Sequence, residues 1–343
     1  MTNELPWRPG SATGIGSWPG DDPLETARTV VGELPDLPYL PELPGRGPGA
    51  DMVGRTAANL LAGLDVDLQP AGWRLVDRPG VDARRARSMF GHDLDAFEEA
   101  AEGYSGPAKV QLCGPWTLAA RLELPRGGPV LADTGARRDV AASLAEGVVE
   151  HVADVRRRLP GAVPLVQLDE PMLPAVLAGT VPTASRFSRV EPVEQQLAVA
   201  PLADLVAAVE GAGGWPLVHC CARDVPLRLL HDAGARAVAL DPALLTADAD
   251  DEVGELVEAG LGLLLGAVPA TDPGTEPSVD DVAGPVRELW GRIGLAEELL
   301  ASRTAVTPSC GLAGASPAWA RRATALTVRT ARTLAGLEAP NEH

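Results

Sequence analysis

The sequence predicts a (β/α)8 TIM barrel, and three observations lead to this prediction. Eight short apolar runs recur along the 343 residues, most of them rich in Val, Leu or Ile and bounded by Gly or Pro. Such runs are typical of strands that are buried on both faces. Longer amphipathic stretches separate them, as expected of helices that connect parallel strands. Eight successive strand–helix units favour a closed barrel over an open sheet.

The elements follow in chain order. The predicted strands are Gly14–Ser17, Leu37–Glu42, Ala108–Cys113, Val163–Leu168, Trp215–Cys221, Arg236–Leu240, Leu261–Val268 and Thr304–Thr307. The predicted helices are Asp22–Gly32, Ala50–Leu64, Ala136–Leu159, Pro201–Ala212, Val225–Ala233, Asp250–Ala259, Ser278–Leu300 and Ser316–Leu337. Ser278, which precedes acidic first-turn residues, and Ser316, which precedes a proline, are typical residues for helix starts.

No low-complexity linker divides the chain, so residues 1–343 are predicted to form one catalytic barrel. The chain is long enough for two domains, but α/β barrels of this length often form a single one. The strand–helix alternation is weakest between residues 65 and 106. An insertion in the barrel is expected there, with a hairpin that includes Trp73–Val76.

The composition argues against several classes of partner and location for this protein. The net charge of −18 argues against nucleic acid as a partner, because phosphates would be repelled. No run approaches the roughly 18 apolar residues of a membrane span, and residues 1–20 do not resemble a signal peptide. A cytoplasmic protein without a membrane partner is therefore expected. Its four cysteines are expected to be core thiols, metal ligands or nucleophiles rather than a disulfide framework.

Potential metal ligands follow three predicted strands, at the barrel edge where TIM barrels carry their chemistry. His219 and Cys221 stand two residues apart, so their side chains point the same way, while Cys220 points to the opposite face. Asp241 ends the sixth strand, and Cys310 follows the eighth. An imidazole with thiolates favours zinc. Alone, the His-x-Cys pair is also typical of a core cysteine beside a core histidine.

Zinc at this edge would suit thiol chemistry. A free thiol has a pKa of about 8.5 and is mostly protonated at neutral pH, although the thiolate is the nucleophile. Zinc deprotonates a coordinated thiol, and a three-ligand site leaves a position open for a substrate. The predicted reaction is attack of a substrate thiolate on an electrophilic carbon, most plausibly a methyl group.

Several segments together resemble the C-terminal catalytic barrel of the cobalamin-independent methionine synthases. They occur in the family order and span nearly the whole chain. The matching segments are Thr13–Pro19 (TGIGSWP), Ala50–Val53 (ADMV), Gly114–Pro115, Gln167–Pro171 (QLDEP), His219–Cys221 (HCC) and Pro308–Leu312 (PSCGL). Each is unspecific alone, and jointly they are specific.

The resemblance implies an enzyme that transfers a methyl group to homocysteine and produces methionine. In the family, zinc is bound by a His, two Cys and a Glu and activates the homocysteine thiol. The corresponding residues are His219, Cys221 and Cys310, with Asp241 in place of the Glu.

The resemblance also implies a site for the amino-acid part of the substrate. Backbone and hydroxyl donors around Ile15 and Ser17 are expected to hold the carboxylate group. Asp169, the candidate catalytic residue, is expected to bind the ammonium group, with Glu42 as a second carboxylate. Structural alternatives are a helix cap for Ser17, a strand-end turn for Asp169–Pro171 and a solvated loop position for Glu42.

Two departures from the family leave the methyl donor open. The full-length enzymes contain an additional N-terminal barrel, which these 343 residues do not include. The family usually has an acid/base His after the seventh strand, where this chain has Pro269–Thr271. Methyltetrahydrofolate is a poor donor unless its leaving nitrogen is protonated. A methylated corrinoid protein is therefore an alternative donor to methyltetrahydrofolate.

Other functions compete with homocysteine methylation. A uroporphyrinogen decarboxylase-like barrel leaves the thiolate cluster unexplained. A related methyltransferase for another thiol, such as coenzyme M, would not need Ser17 and Asp169. A non-catalytic barrel that binds zinc or an amino acid would bind homocysteine or methionine without turnover.

Overall fold

A computed structural model describes residues 4–185 and 187–337. Its strands are β1 Asp65–Gln69, β2 Gly72–Val76, β3 Pro107–Cys113, β4 Val163–Asp169, β5 Trp215–His219, β6 Ala237–Leu240, β7 Gly262–Val268 and β8 Thr304–Pro308. Its α-helices are α1 Pro23–Glu33, α2 Met52–Asn59, α3 Val81–Ala100, α4 Pro115–Arg121, α5 Thr134–Arg158, α6 Leu173–Leu177, α7 Gln195–Gly211, α8 Leu227–Asp232, α9 Asp250–Glu258, α10 Val279–Ile293, α11 Glu297–Arg303 and α12 Pro317–Leu334.

The central sheet consists of six parallel strands in sequential order, β3 to β8. This arrangement is an α/β, TIM-barrel-like fold, and it confirms the last six predicted strands. The register pairs Cys113 with Asp169 and Asp169 with His219, so these strand-end residues lie side by side. The carboxyl ends of the strands thus form one edge, where parallel α/β folds place their ligands.

The first two predicted strands are wrong as regular strands. The two segments form isolated parallel bridges instead, which pair Ala12 with Val306, Ser17 with Glu42, and Tyr39 with Lys109. Pro38 and Pro41 explain part of the difference, because proline has no N–H to donate to a ladder. Through these bridges the N-terminal segments contact both β8 and β3.

Two apolar clusters form the core. The larger runs from Ala12 to Leu334 and packs the helices against the sheet. The smaller combines side chains of the N-terminal segments with those of strands β4 to β8. Its buried members are Trp7, Ile15, Leu37, Leu165, Trp215, Leu217, Ala237, Ala239, Leu264 and Ala305. Alternate strand positions point to opposite faces, so the two clusters occupy the two faces of the sheet.

Some predicted elements require correction. Residues 65–106 contain the expected hairpin, β1–β2, but also the 20-residue helix α3. The predicted helix Ser278–Leu300 is two helices, α10 and α11. Gly294, with φ of 78°, ends α10 because glycine adopts the left-handed conformation without steric cost. Both predicted helix starts are confirmed, since Ser278 and Ser316 accept backbone hydrogen bonds as N-caps.

Within residues 4–185 and 187–337, no helix is both long and apolar enough to cross a membrane.

Candidate active site

A buried histidine at the end of β5 is oriented by a carboxylate at the end of β4. His219 Nδ1 lies 2.8 Å from Asp169 Oδ1, and both side chains are buried. Because an ionised carboxylate only accepts, Nδ1 carries the proton and Nε2 presents its lone pair. Nε2 is buried and has no hydrogen-bond partner among the described residues. Metal-binding histidines are oriented in this way.

Two thiols that are distant in sequence lie together at this edge. Cys221 Sγ and Cys310 Sγ are 3.5 Å apart. Hydrogen bonding with Cys221 lowers the pKa of Cys310 to about 6, against the opposing effect of burial. The same thiol pair and burial raise the pKa of Cys221. Two Zn–S bonds of about 2.3 Å in tetrahedral geometry separate their sulfurs by about 3.8 Å, which is close to the observed spacing.

The four predicted zinc ligands do not all lie together in the structure. Asp241 follows β6 and caps the turn Pro242–Leu244, where its Oδ1 accepts from Ala243 N at 2.9 Å. Over the described part of the chain, no three His, Cys, Asp or Glu side chains are assembled as a metal site. Cys220, which is not a predicted ligand, is fully buried. The two sulfurs and the free imidazole nitrogen nevertheless suit zinc chemically.

Ser17 lies against the loop that carries Cys310. Its backbone carbonyl accepts from Leu312 N at 2.8 Å, and its Oγ accepts from Ala313 N at 3.4 Å. A Cβ at Gly311 would lie 2.1 Å from Ser17 Oγ, so only glycine permits this approach. The helix-cap alternative for Ser17 is wrong, because Asp22 caps α1.

The second predicted carboxylate, Glu42, is buried beside Asp169 rather than solvated. Gln111 Nε2 donates to Glu42 Oε1 at 3.2 Å, and Arg55 Nε lies 3.8 Å from the same oxygen. Burial raises the pKa of Glu42 to about 7 against the opposing effect of Arg55, and the nearby Asp169 raises it further. The solvated-loop alternative for Glu42 is therefore wrong.

The neighbour of Asp169 has a structural role. Glu170 accepts hydrogen bonds from Trp116 N at 2.9 Å and from both Thr117 N and Thr117 Oγ1 at 2.7 Å. It therefore satisfies free N–H groups in the first turn of α4. Its burial raises its pKa to about 7. The structural alternative of a strand-end turn at Asp169–Pro171 therefore applies to Glu170. It does not apply to Asp169, whose side chain contacts His219.

Comparison with protein families decides the relationship of the chain. Residues 110–333 match the family model described as the cobalamin-independent synthase, catalytic domain. The chain belongs to the cobalamin-independent methionine synthase family. This match covers more than half of the sequence and confirms the resemblance seen in the motifs.

One solved structure supports the fold. A B12-independent methionine synthase from Shewanella sp. W3-18-1, in complex with selenomethionine, has a TM-score of 0.60 and 14% identity, over 96% of this chain and 98% of that chain. A GH5_18 protein from Streptomyces cattleya with bound GlcNAc is less similar, with a TM-score of 0.44 and 16% identity, over 97% and 82% of the chains. A comparison with curated proteins finds no match.

Membership of the methionine synthase family makes the protein an enzyme of the methyltransferase type, connected with homocysteine and methionine biosynthesis. It does not favour the decarboxylase-like or non-catalytic alternatives. The suggested corrinoid partner is unsupported, because the family works independently of cobalamin.

The sequence did not identify several polar residues that lie close to the candidate site of this methionine synthase family member. Lys109 Nζ donates to Ile15 O at 2.7 Å, and burial lowers the pKa of this lysine to about 7. Gln167 Nε2 donates to the same carbonyl at 2.8 Å. The missed signal is a period of two: Lys109 and Gln111 alternate along β3, and Gln167 and Asp169 along β4. In otherwise apolar strands, this spacing marks one polar face.

Proposed function

We propose that the protein is a zinc-dependent homocysteine S-methyltransferase that takes its methyl group from a methyltetrahydropteroylglutamate. The observation that carries this proposal is the pair of thiols, Cys221 and Cys310, with sulfurs 3.5 Å apart near an oriented imidazole. His219 Nε2 is buried without a partner among the described residues, and the other nitrogen of this ring is oriented by Asp169.

His219, Cys221 and Cys310 would hold the zinc ion. Bound zinc would lower the pKa of the homocysteine thiol and favour its thiolate. Asp241 Oδ1 accepts a hydrogen bond from Ala243 N. Asp241 would therefore be a fourth ligand only if this hydrogen bond broke or if its other oxygen, Oδ2, bound the zinc ion. Both thiols must lose their protons to ligate, and the zinc ion would supply the positive charge that favours the two thiolates.

Glu42 and Asp169 would bind the ammonium group of homocysteine, with Asp169 also orienting His219. Ser17 and the backbone around Ile15 would bind the carboxylate group. The burial of both acidic side chains supports these roles, since buried carboxylates need partners and the ammonium group of the substrate would add one to those that Arg55 and His219 provide. The Shewanella relative was solved with selenomethionine, the selenium analogue of the product proposed here.

A methylated pterin donor fits a family that works without cobalamin. Its leaving nitrogen must gain a proton during methyl transfer. Since Pro269–Thr271 contains no imidazole, we expect this protonation to limit turnover. Methionine formation should then be slow and should accelerate as the pH falls towards the range in which the donor nitrogen is protonated.

We also propose that the whole chain acts as one (β/α)8 catalytic barrel, in which residues 11–18 and 39–42 take the places of the first two strands. The isolated bridges to β8 and β3 support this closure, as does an apolar cluster shared by Ile15, Leu37 and strands β4 to β8. The β1–β2 hairpin would then be an insertion in the barrel.

Metal analysis and activity together test the function. We expect about one zinc per wild-type chain, which is lost in Cys221→Ala and in Cys310→Ala. The matched control is Cys220→Ala, which removes the fully buried thiol next to Cys221 in sequence and should retain zinc. Wild-type protein should form methionine from homocysteine and methyltetrahydropteroylglutamate. A wild-type protein that cannot be loaded with zinc would contradict the proposal.

A further inference from the structure

Two glutamines occupy equivalent positions on neighbouring strands. Gln111 of β3 and Gln167 of β4 are register partners, and both are buried. Each amide nitrogen donates to one backbone carbonyl and to one carboxylate. Gln111 Nε2 donates to Leu40 O at 2.6 Å and to Glu42 Oε1 at 3.2 Å. Gln167 Nε2 donates to Ile15 O at 2.8 Å and to Asp169 Oδ1 at 2.8 Å.

The partners of these amides determine their orientation. Carbonyl and carboxylate oxygens only accept, so each glutamine must turn its NH2 group towards them. As a result, Gln111 Oε1 and Gln167 Oε1 are both buried without a partner among the described residues. An unpaired buried carbonyl is destabilising. A methionine would fill similar space without this penalty, so packing does not explain either glutamine.

Neutral donors have a specific advantage beside these acids. Hydrogen bonds from an amide orient a carboxylate and favour its ionised form without cancelling its charge. Of the two nearby basic side chains, Lys109 makes its hydrogen bond to Ile15 O, and Arg55 Nε lies 3.8 Å from Glu42 Oε1, beyond hydrogen-bond distance. The second N–H of each amide ties its carboxylate to an N-terminal segment that lacks regular strand pairing. Glu42 and Asp169 are thus held in place by neutral donors, and the hydrogen bond from Gln111 opposes the effect of burial on the pKa of Glu42.

We propose that Gln111 and Gln167 are a pair of positioning residues that aim Glu42 and Asp169 at the α-ammonium group of the substrate. They make the site selective for amino-acid thiols over thiols that lack an amino group. This inference rests on the proposed homocysteine methyltransferase function and identifies the part of the protein that recognises the amino group.

Binding of two ligands to zinc-loaded protein tests the pair. Homocysteine and 4-mercaptobutanoate differ only by the amino group, and calorimetry gives the Kd of each. We expect Gln111→Met and Gln167→Met each to weaken homocysteine binding by roughly tenfold or more, because a hydrogen bond to a charged group is lost. Binding of 4-mercaptobutanoate should change by less than about twofold, since Glu42 and Asp169 are not used to bind it.

A double-mutant cycle tests whether each glutamine acts through its carboxylate. In a Glu42→Gln background, Gln111→Met should have little further effect on homocysteine binding, because no charge remains to be positioned. The same holds for Gln167→Met in an Asp169→Asn background. In turnover assays, the single variants should raise KM for homocysteine more than they lower kcat. Thr330→Val, which removes another buried, unpartnered polar atom on α12, is the control and should leave binding unchanged.

These experiments distinguish a failure of the inference from a failure of the proposed function. Equal weakening of both ligands, or additive effects in the double variants, would mean that the glutamines only support the fold, and the inference would be wrong. If wild-type protein fails to bind homocysteine at all, the proposed function fails and the inference with it. If a methionine variant does not fold, Gln111→Asn and Gln167→Asn, which keep the amide but shorten its reach, carry the same expectations.

Discussion

Asp169 Oδ1 lies 2.8 Å from His219 Nδ1, and this oxygen also accepts a hydrogen bond from Gln167. One carboxylate therefore connects the imidazole of the proposed zinc site with the proposed ammonium site. Its two roles depend on different properties. Orienting the imidazole requires a hydrogen-bond acceptor, whereas binding an ammonium group requires a negative charge.

Two substitutions should separate these roles. Asp169→Asn keeps an acceptor oxygen but removes the charge, so zinc affinity should change little while homocysteine binding weakens by about tenfold or more. Asp169→Ala removes both properties, and zinc affinity should also fall by about 10–100-fold. Chelator competition measures the zinc affinity. Equal zinc affinity in wild type and Asp169→Ala would show that Asp169 does not orient a zinc ligand.

The contact between Ser17 and Gly311 predicts a steric effect on the site. Gly311→Ala places a Cβ 2.1 Å from Ser17 Oγ, so Ser17 or the loop that carries Cys310 must move. We expect a higher KM for homocysteine and weaker zinc retention. Gly314→Ala in the same loop is the control, because its nearest contact, Thr271 Cγ2 at 3.6 Å, is an ordinary one. Similar kinetics in the two variants would contradict this assignment.

Arg55 should matter for stability because it is a buried cation between two acids. Its Nη1 lies 3.1 Å from Asp93 Oδ2, and Nε lies 3.8 Å from Glu42 Oε1. Arg55→Met leaves both carboxylates without this partner, so the free energy of unfolding should fall by about 3–5 kcal/mol. Urea denaturation measures the change. Arg28→Met, which breaks an exposed pair with Glu99, should cost less than about 1 kcal/mol.

His151 predicts a dependence of stability on pH. Burial, and then the Arg55 charge, lower the pKa of His151 from 6.5 to about 4. The unfolded chain therefore binds a proton on this residue before the folded protein does. The stability that His151 contributes is complete above pH 6.5 and is lost as the pH falls towards 4. The full loss is on the order of 3 kcal/mol.

Urea denaturation of wild type and His151→Leu at several pH values measures this contribution. The difference in unfolding free energy between the two proteins should change in favour of His151→Leu as the pH falls from 6.5 to 4. Comparing the two proteins removes the effects of other acids, including Glu170, that titrate in the same range. A difference that is independent of pH would show that His151 is not held neutral by burial.

The sequence predicted much of the site because parallel strands end at one edge of the sheet. His219 and Cys310 are 91 residues apart, but each ends or follows a strand of the same sheet. Motif order identified the family, and the family model confirmed it. The positions of strands β3 to β8 followed from their apolar runs, which burial on both faces requires.

The sequence was less informative where local hydrogen bonding, rather than hydrophobicity, decides the structure. The N-terminal segments are apolar enough for strands, but Pro38 and Pro41 cannot donate to a regular ladder. Asp241 stands at the predicted strand end, yet its side chain caps a local turn. Whether a short acidic side chain bonds locally or reaches a distant site depends on competing contacts.

By itself, the sequence determined the alternation of strands and helices, the edge at which the candidate site lies and the residue types of the proposed zinc site. Only the tertiary structure decided which polar groups meet inside the fold. Gln111 and Glu42, or Gln167 and Ile15, come into contact through the register of the sheet and the course of its loops. Such contacts depend on packing between distant segments, which local pattern does not encode.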